Sequence, residues 1–456
     1  MNIFVIGADV PYRHHGNPGV EAANIVLYEL VIALSRSGHK IVLQLLFNQH
    51  RPAVSLNPSE EDELRQITEH GIEVLPPIYF FDYQPTRGRP AYLRKIIGLI
   101  QRLSPMHQLA HYYPAVKLRG VMRERIQQNN CDAVLTVWSP EGVAATHGLR
   151  ETPRIAYHGD VDYVPGKSRL TDEITFSAEA TPRFLANIRG VLRKLYGRFE
   201  YAGFRRSHLK LMKDLQVIAN ITASNAAVYT NDGHPNSIYV GNTWSDPGID
   251  QPTNGAIGAA AAPSSKTIKI IGHVGNLQRT GSTYGLRFLL LEVLPELEKV
   301  ADGLDYQIHI IGDGEIVKEL APFLDNERIV MRGFVEDLDA ELKSADMLLL
   351  LNNAGSYLAA YTRHMVSWSM GLCLIVHANS ISAIPEISPM ENALVGSTPE
   401  EVARMILLAA TDLELNLRVR QGGRATYEQY FMPSVIAGTL EKEISLSVAV
   451  TVNQGA

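Results

Sequence analysis

The stretch IKIIGHVGNLQRTGSTYGLRFL, residues 268–289, decides the fold. It opens as a buried-strand pattern, breaks at Gly272 and Gly275 into a loop, and continues as a helix. YQIHIIGDGEIVKEL (306–320) repeats the rhythm: strand, glycine-rich turn, helix. RIVMRGFVEDLDAELKSADMLLLLN (328–352) adds a strand, a helix and a very apolar strand. AAYTRHMVSWSMG (359–371) reads as a helix stopped at Gly371, and LCLIVH (372–377) as the next strand. Strands that alternate with helices predict a parallel, doubly wound sheet. Ligands of such sheets bind outside the carboxyl ends of the strands. Those ends carry Gly275 and Asn276, Gly312 to Gly314, Asn352 to Gly355, and His377. Glycines and polar side chains at every strand end suit a ligand with phosphates.

Four of these segments, IIGHVGNL, HIIGDG, VMRGFVEDLDAELKSADMLLL and VSWSMGLCLIV, resemble in order and spacing the donor-binding half of GT-B glycosyltransferases, in particular the retaining group called family 4. The resemblance implies an α/β fold of two facing doubly wound, Rossmann-like domains with an interdomain cleft. It also implies transfer of a sugar from a nucleotide-sugar donor to a hydroxyl acceptor, with no cofactor beyond that co-substrate. The N-terminal half joins in: MNIFVIG, a glycine-bearing loop, a helix ending near Gly38 and the strand IVLQLLF follow the order of the acceptor-binding half. The expected domains are 1–250 for the acceptor, a linker over 251–266, 267–432 for the donor, and 433–456 as a helix crossing back to the N-terminal domain and a tail. The linker rests on composition, since PTNGAIGAAAAPSSK is small and uncharged until its end.

Length and composition set outer bounds. A chain of 456 residues is long for one domain, and 46% hydrophobic with 20% charged residues describes an ordinary globular protein. A net charge of −6 argues against a general nucleic-acid binder. Cys131 and Cys373 sit in apolar, strand-like settings and read as buried thiols of a reducing compartment. The opening MNIFVIGADV reads as a strand with no basic leader, so a cytoplasmic protein is expected. Two basic regions, 87–125 and 183–213, interleave Arg and Lys with apolar residues. They suit peripheral contact with an anionic membrane, a solvated helix face, or a polyanionic acceptor.

The candidate site residues follow from the resemblance and from chemistry. A diphosphate needs backbone amides and cations. Arg363 stands where the resemblance places a basic phosphate ligand, and a planar guanidinium suits a diphosphate; an ordinary surface arginine is the other reading. Arg279, in the first loop of the C-terminal domain, is weighed the same way. Gly275, Asn276, Gly312 and Gly314 would form the donor loops, with tight packing as the alternative for Gly312 and Gly314. Val335 would touch the base, while Glu336 and Asp337 read as helix caps. The family's glutamate pair falls on Leu358 and Val366, neither of which can hold a ribose; Asn352, Asn353, Ser356 and Ser367 lie near enough to substitute. In the N-terminal half, Arg13, Gly16 and Gly19 form a loop that either approaches the ligand or serves as a glycine-requiring turn. IEVLPPIYFF reads as one strand, and DLQVIANITAS as a strand ending in Ser224. His158 ends another strand, and histidine can take a proton near neutral pH; a structural histidine is the alternative. Asp160 and Asp162 could orient it or bind acceptor hydroxyls. No metal is expected, although Asp9, His14 and His15 could conceivably form a site. There is no Walker A sequence, no complete G-x-G-x-x-G, no G-x-S-x-G and no zinc spacing. A non-catalytic nucleotide-sugar-binding partner and a sugar-nucleotide epimerase remain open alternatives.

Overall fold

The computed structural model describes residues 1–13, 20–47, 55–80, 96, 112–161, 163, 183–247, 267–354 and 362–455. Two parallel sheets dominate. The first contains β1 (Asn2–Gly7), β2 (Lys40–Phe47), β3 (Glu73–Val74), β4 (Ile78–Tyr79), β5 (Ala133–Val137), β6 (Arg154–His158), β7 (Val217–Asn220) and β8 (Ser237–Tyr239). Its order is β3-β2-β1-β5-β6-β7-β8, with β4 also on β2. The second contains β9 (Ile268–Val274), β10 (Tyr306–Ile311), β11 (Ile329–Gly333), β12 (Met347–Leu350), β13 (Cys373–His377) and β14 (Leu394–Gly396), in the order β11-β10-β9-β12-β13-β14. Both orders run outward in two directions from the first strand of the domain. That reversal opens a crevice at the strands' carboxyl ends, between β1 and β5 and between β9 and β12.

The strands of the second sheet are apolar on both faces. Ile270, Ile308, Met347, Leu349 and Ile375 enter one buried cluster, while Ile271, Ile311, Leu348, Leu350 and Leu374 enter another. Alternate residues point to opposite sides, so a sheet covered by helices on both faces needs these continuous apolar runs. The second of those clusters also holds Ile3, Leu43 and Leu135 of the N-terminal sheet. The C-terminal helix Pro433–Gly455 contributes Ile436, Ala437, Leu440 and Ile444 to it. This helix packs on the first helix of the chain, Ala22–Arg36.

Polar contacts reinforce the junction. Segment Gly241–Asp246 is held from both sides: Tyr157 Oη donates to Gly241 O at 2.9 Å, Thr243 Oγ1 to Phe431 O at 2.9 Å, and Tyr427 Oη to Trp244 O at 2.7 Å. Arg424 grips both carboxylate oxygens of Asp246 at 2.9 Å. Nearer the cleft, Tyr239 Oη donates to Glu386 at 2.8 Å, and the Ala223 amide donates to Ala383 O at 2.9 Å.

Local chemistry alters some expectations. Gly272 does not end β9. It is the extra residue of a bulge, skipped between the pairs Ile271–His309 and His273–Ile310. A Cβ there would lie 2.5 Å from Ile308 Cγ2, so only glycine lets β10 pass. The single strand read in IEVLPPIYFF is two short ones, β3 and β4, because Pro76 and Pro77 have no N–H for a ladder. The helix expected after Gly314 is a 3-10 segment, Lys318–Asp325, with Pro322 inside it. Ser224 belongs to the helix Ala223–Asn231, whose amide at Asn225 is capped by Thr222 Oγ1 at 3.2 Å. Asp337 caps the helix Leu338–Lys343 through Ala340 N at 2.9 Å, as its sequence position suggests.

Both cysteines are free, and burial pushes the thiols up, to about 11 for Cys131 and about 12 for Cys373. The linker 251–266, the loop carrying Gly16 and Gly19, Ser356, Asp162 and most of the basic region 87–125 lie outside the described residues. The second basic region lies on the helix Arg183–Met212. Among the described residues, no helix is long and apolar enough to cross a membrane.

Candidate functional site

The loops after β9, β10 and β11 are laced together by backbone hydrogen bonds. Gly275 N donates to Ile311 O at 3.0 Å, Leu277 N to Asp313 O at 2.9 Å, and Gly312 N to Gly333 O at 2.8 Å. Asn276 joins them from its side chain, donating to Asp313 Oδ1 at 3.2 Å and accepting from Gln278 N at 2.9 Å. Glycine is required where the loops meet. Gly275 and Gly312 have φ of +112° and +138°, and a Cβ on Gly312 would lie 1.9 Å from Gly275 O. Gly314, at φ +97°, lies against Gln278.

Arg363 reaches this floor from the helix Thr362–Ser369. Its Nη1 donates to Val274 O at 3.0 Å and lies 3.4 Å from His273 Nδ1. His273 Nε2 is 3.1 Å from Gly275 O. A carbonyl can only accept, so Nε2 carries the proton and Nδ1 faces the arginine as an acceptor. Burial, helped by the Arg363 charge, holds His273 down at about 3. His364, next to the arginine in sequence, is lowered to about 3 for the same reasons in the same order. Both imidazoles are therefore held neutral, disfavoured as cations by burial first and by the Arg363 charge second.

Gly272, His273, Gly281, Gly285, Asn352 and Arg363 line a small cleft together with the apolar Leu349, Leu350 and Leu351. Gly281 and Gly285 lie one turn apart on the helix Thr280–Arg287. Gly285 lets that helix approach the β12 exit, since its Cβ position is 3.6 Å from Asn352 N. The interlocked loops position a cation and a helix start in one place, and a guanidinium beside a helix N-terminus suits an anionic ligand.

The other sequence candidates are distributed around this centre. Arg279 precedes the helix Thr280–Arg287 without capping it from its side chain, and is ion-paired with Glu21 of the N-terminal domain. Val335 is half-buried beside the interdomain core. Ser367 is fully buried, and its Oγ has no hydrogen-bond partner among the described residues. Val366 is 8% exposed and packed in the core. Arg13 N donates to Glu63 at 3.4 Å. Asp160 is half-buried just beyond β6. His158 lies inside the N-terminal domain rather than on a cleft surface, 3% exposed, with its ring 5.6 Å from that of His208 and 6.0 Å from that of Tyr229. Tyr157, its neighbour in β6, takes the opposite face toward Gly241, so the strand's alternation sends His158 toward those rings. Among the described residues, no cluster of His, Cys, Asp and Glu could hold a metal ion.

Sequence reasoning missed His273, His364 and the Gly281–Gly285 pair. His364 adjoins Arg363 in sequence, and Gly281 and Gly285 are spaced one helical turn apart, so both signals were present.

No curated protein matches the chain. Residues 268–412 match the family model described as Glycosyl transferases group 1. Solved structures match over nearly the whole length. Anabaena Alr3699/HepE in complex with UDP and glucose is 12% identical, with 98% of this chain and 99% of that chain covered and a TM-score of 0.56. Sucrose-phosphate synthase (tll1590) from Thermosynechococcus elongatus is 12% identical, with 98% and 99% covered and a TM-score of 0.58. The lipopolysaccharide outer core galactosyltransferase WaaB is 11% identical, with 97% and 99% covered and a TM-score of 0.54. The chain thus has the GT-B fold of two facing Rossmann-like domains, and its C-terminal domain matches the group 1 glycosyltransferases.

Proposed function

We propose that this chain transfers a sugar from a nucleotide-sugar donor to a hydroxyl acceptor. The C-terminal domain binds the donor and the N-terminal domain binds the acceptor. The observation that carries this reading is Arg363, fixed at the end of β9 beside the Gly275–Gly312 loop pair and within the segment that matches the family. A diphosphate placed there receives a guanidinium and the start of the helix Thr280–Arg287. The structure similar to this one that holds UDP and glucose supports the same assignment. Transfer with retention and without a metal ion is part of the proposal, as is peripheral membrane contact through the helix Arg183–Met212. Closure of the two domains would exclude water and limit donor hydrolysis.

One observation favours a second reading, in which the chain binds the donor without transferring it. Val366, where the resemblance would place a glutamate, has a buried, apolar side chain. Release of nucleoside diphosphate from a sugar nucleotide, with or without an acceptor, separates the two.

Donor binding is tested by a thermal-shift screen against UDP, GDP, ADP and their sugar conjugates. One nucleotide class is expected to raise the midpoint, with a stabilisation of about 2.7 kcal/mol at a hundredfold excess over its dissociation constant. No shift with any of them, in a folded protein, overturns the proposal.

A further inference from the structure

We infer that His273 is the positioning residue for Arg363, holding the guanidinium in the plane in which it meets a diphosphate; the inference rests on the donor reading above. His273 stands among the apolar residues of β9 and is 4% exposed. A buried polar ring in such a strand costs stability unless its nitrogens find partners.

The backbone sets the direction of the ring. Ile271 and Val274 both pack against the cluster shared with the N-terminal sheet, although they are three positions apart. Regular alternation would send them to opposite faces. The extra residue at Gly272 reverses the alternation, so His273 turns to the other face and lines the cleft with Gly281, Gly285 and Arg363. Bulges beside functional sites re-aim side chains in this way.

Both nitrogens are used there. Nε2 donates to Gly275 O at 3.1 Å, so Nδ1 is the acceptor facing Arg363 Nη1 at 3.4 Å. Nη1 also donates to Val274 O at 3.0 Å. The last carbonyl of β9 is thus taken by Arg363, the next carbonyl by His273, and the two side chains meet each other. Both hydrogens of Nη1 are committed to this bracket, which fixes the plane of the guanidinium. A planar fork makes bidentate bonds only in its own plane, so that setting decides how well it meets a phosphate. Gly275 O is also the atom on which the Gly312 backbone closes, so the bracket ties the arginine to the interlocked loops. Burial keeps the ring neutral, and a neutral ring does not repel the guanidinium.

The test is calorimetric titration of the full chain with its best-binding nucleoside diphosphate. His273→Gln keeps an N–H for Gly275 O and removes the acceptor from Arg363. It is expected to weaken binding roughly three- to tenfold, the span of one hydrogen bond. His273→Asn keeps an acceptor near the Nδ1 position and should lose less. In the Arg363→Ala background, His273→Gln should cause no further loss. Native affinity in His273→Gln, a larger loss in His273→Asn, or the same loss in both backgrounds overturns the inference and makes His273 a packing group of the loop. Each of those results leaves the donor reading standing, because the native chain still binds. A native chain that binds no nucleotide overturns the donor reading and this inference with it. The native protein supplies a second readout should the variants fail to fold in thermal unfolding. Nitrogen-15 NMR of the histidine side chains is expected to show His273 as the neutral Nε2–H tautomer, with its Nδ1 resonance moving when diphosphate is added. A protonated Nδ1, or an Nδ1 resonance unmoved by saturating diphosphate, overturns the inference.

Discussion

Asp246→Ala is expected to lower the unfolding free energy by about 3 kcal/mol, near the lower end of the range for breaking a buried ion pair. Asp246 is 3% exposed at its side chain, and its partner Arg424 is 14% exposed. The two meet in a fork of paired 2.9 Å hydrogen bonds, and Arg424 Nη1 also donates to Ser369 O at 2.6 Å. Removing the carboxylate leaves a buried guanidinium with Glu428, which is 51% exposed, as its remaining ionic partner. The cost is mostly that of stranding this charge. Because Asp246 lies in the segment joining the domains and Arg424 lies in the helix Leu413–Tyr430, the variant should also loosen their docking. Urea unfolding checks the first effect, and limited proteolysis in native conditions checks the second. A loss below about 0.5 kcal/mol, the scale of a surface change, would contradict the buried geometry.

Gly312→Ala is expected to cost more than about 3 kcal/mol, or to leave the C-terminal domain unable to bind nucleotide. The added carbon would lie 1.9 Å from Gly275 O, and the φ of +138° belongs to a region that L side chains rarely adopt. The obstacle is backbone, so no side-chain rotation relieves it. Gly303→Ala provides the comparison: its φ is +78° with nothing within 4 Å of the Cβ position, so only conformational strain of about 1–2 kcal/mol applies. Equal costs for the two variants, measured by denaturant unfolding, would show that the donor loops are not interlocked as described.

These two sites illustrate what a sequence discloses. The alternation of strand and helix is legible because the apolar runs of β9, β12 and β13 have no other use than a sheet covered on both sides. The glycines of the loops after β9 and β10 are legible as turns, but their mutual contact is not, because Gly275 and Gly312 follow different strands. Asp246 and Arg424 are separated by most of the C-terminal domain, and nothing local marks them as partners. The same holds for His158: its strand-end position suggested a cleft group, while the packing of His208 and Tyr229 over β6 decides where the ring goes. Arg363 is a candidate through the resemblance of its segment, whereas the neutral state of His273 and His364 depends on burial that only the fold creates.

The central claim is that Arg363 and the loops beside it hold the diphosphate of a nucleotide sugar. Calorimetric titration of the best-binding nucleoside diphosphate into the native chain and into Arg363→Ala tests it most directly. The native protein should bind, and the variant should lose about 1.5–3 kcal/mol, or about ten- to 150-fold in affinity, the range for hydrogen bonds to charged groups. Equal affinity in both proteins would take Arg363 out of the site and contradict the placement of the donor.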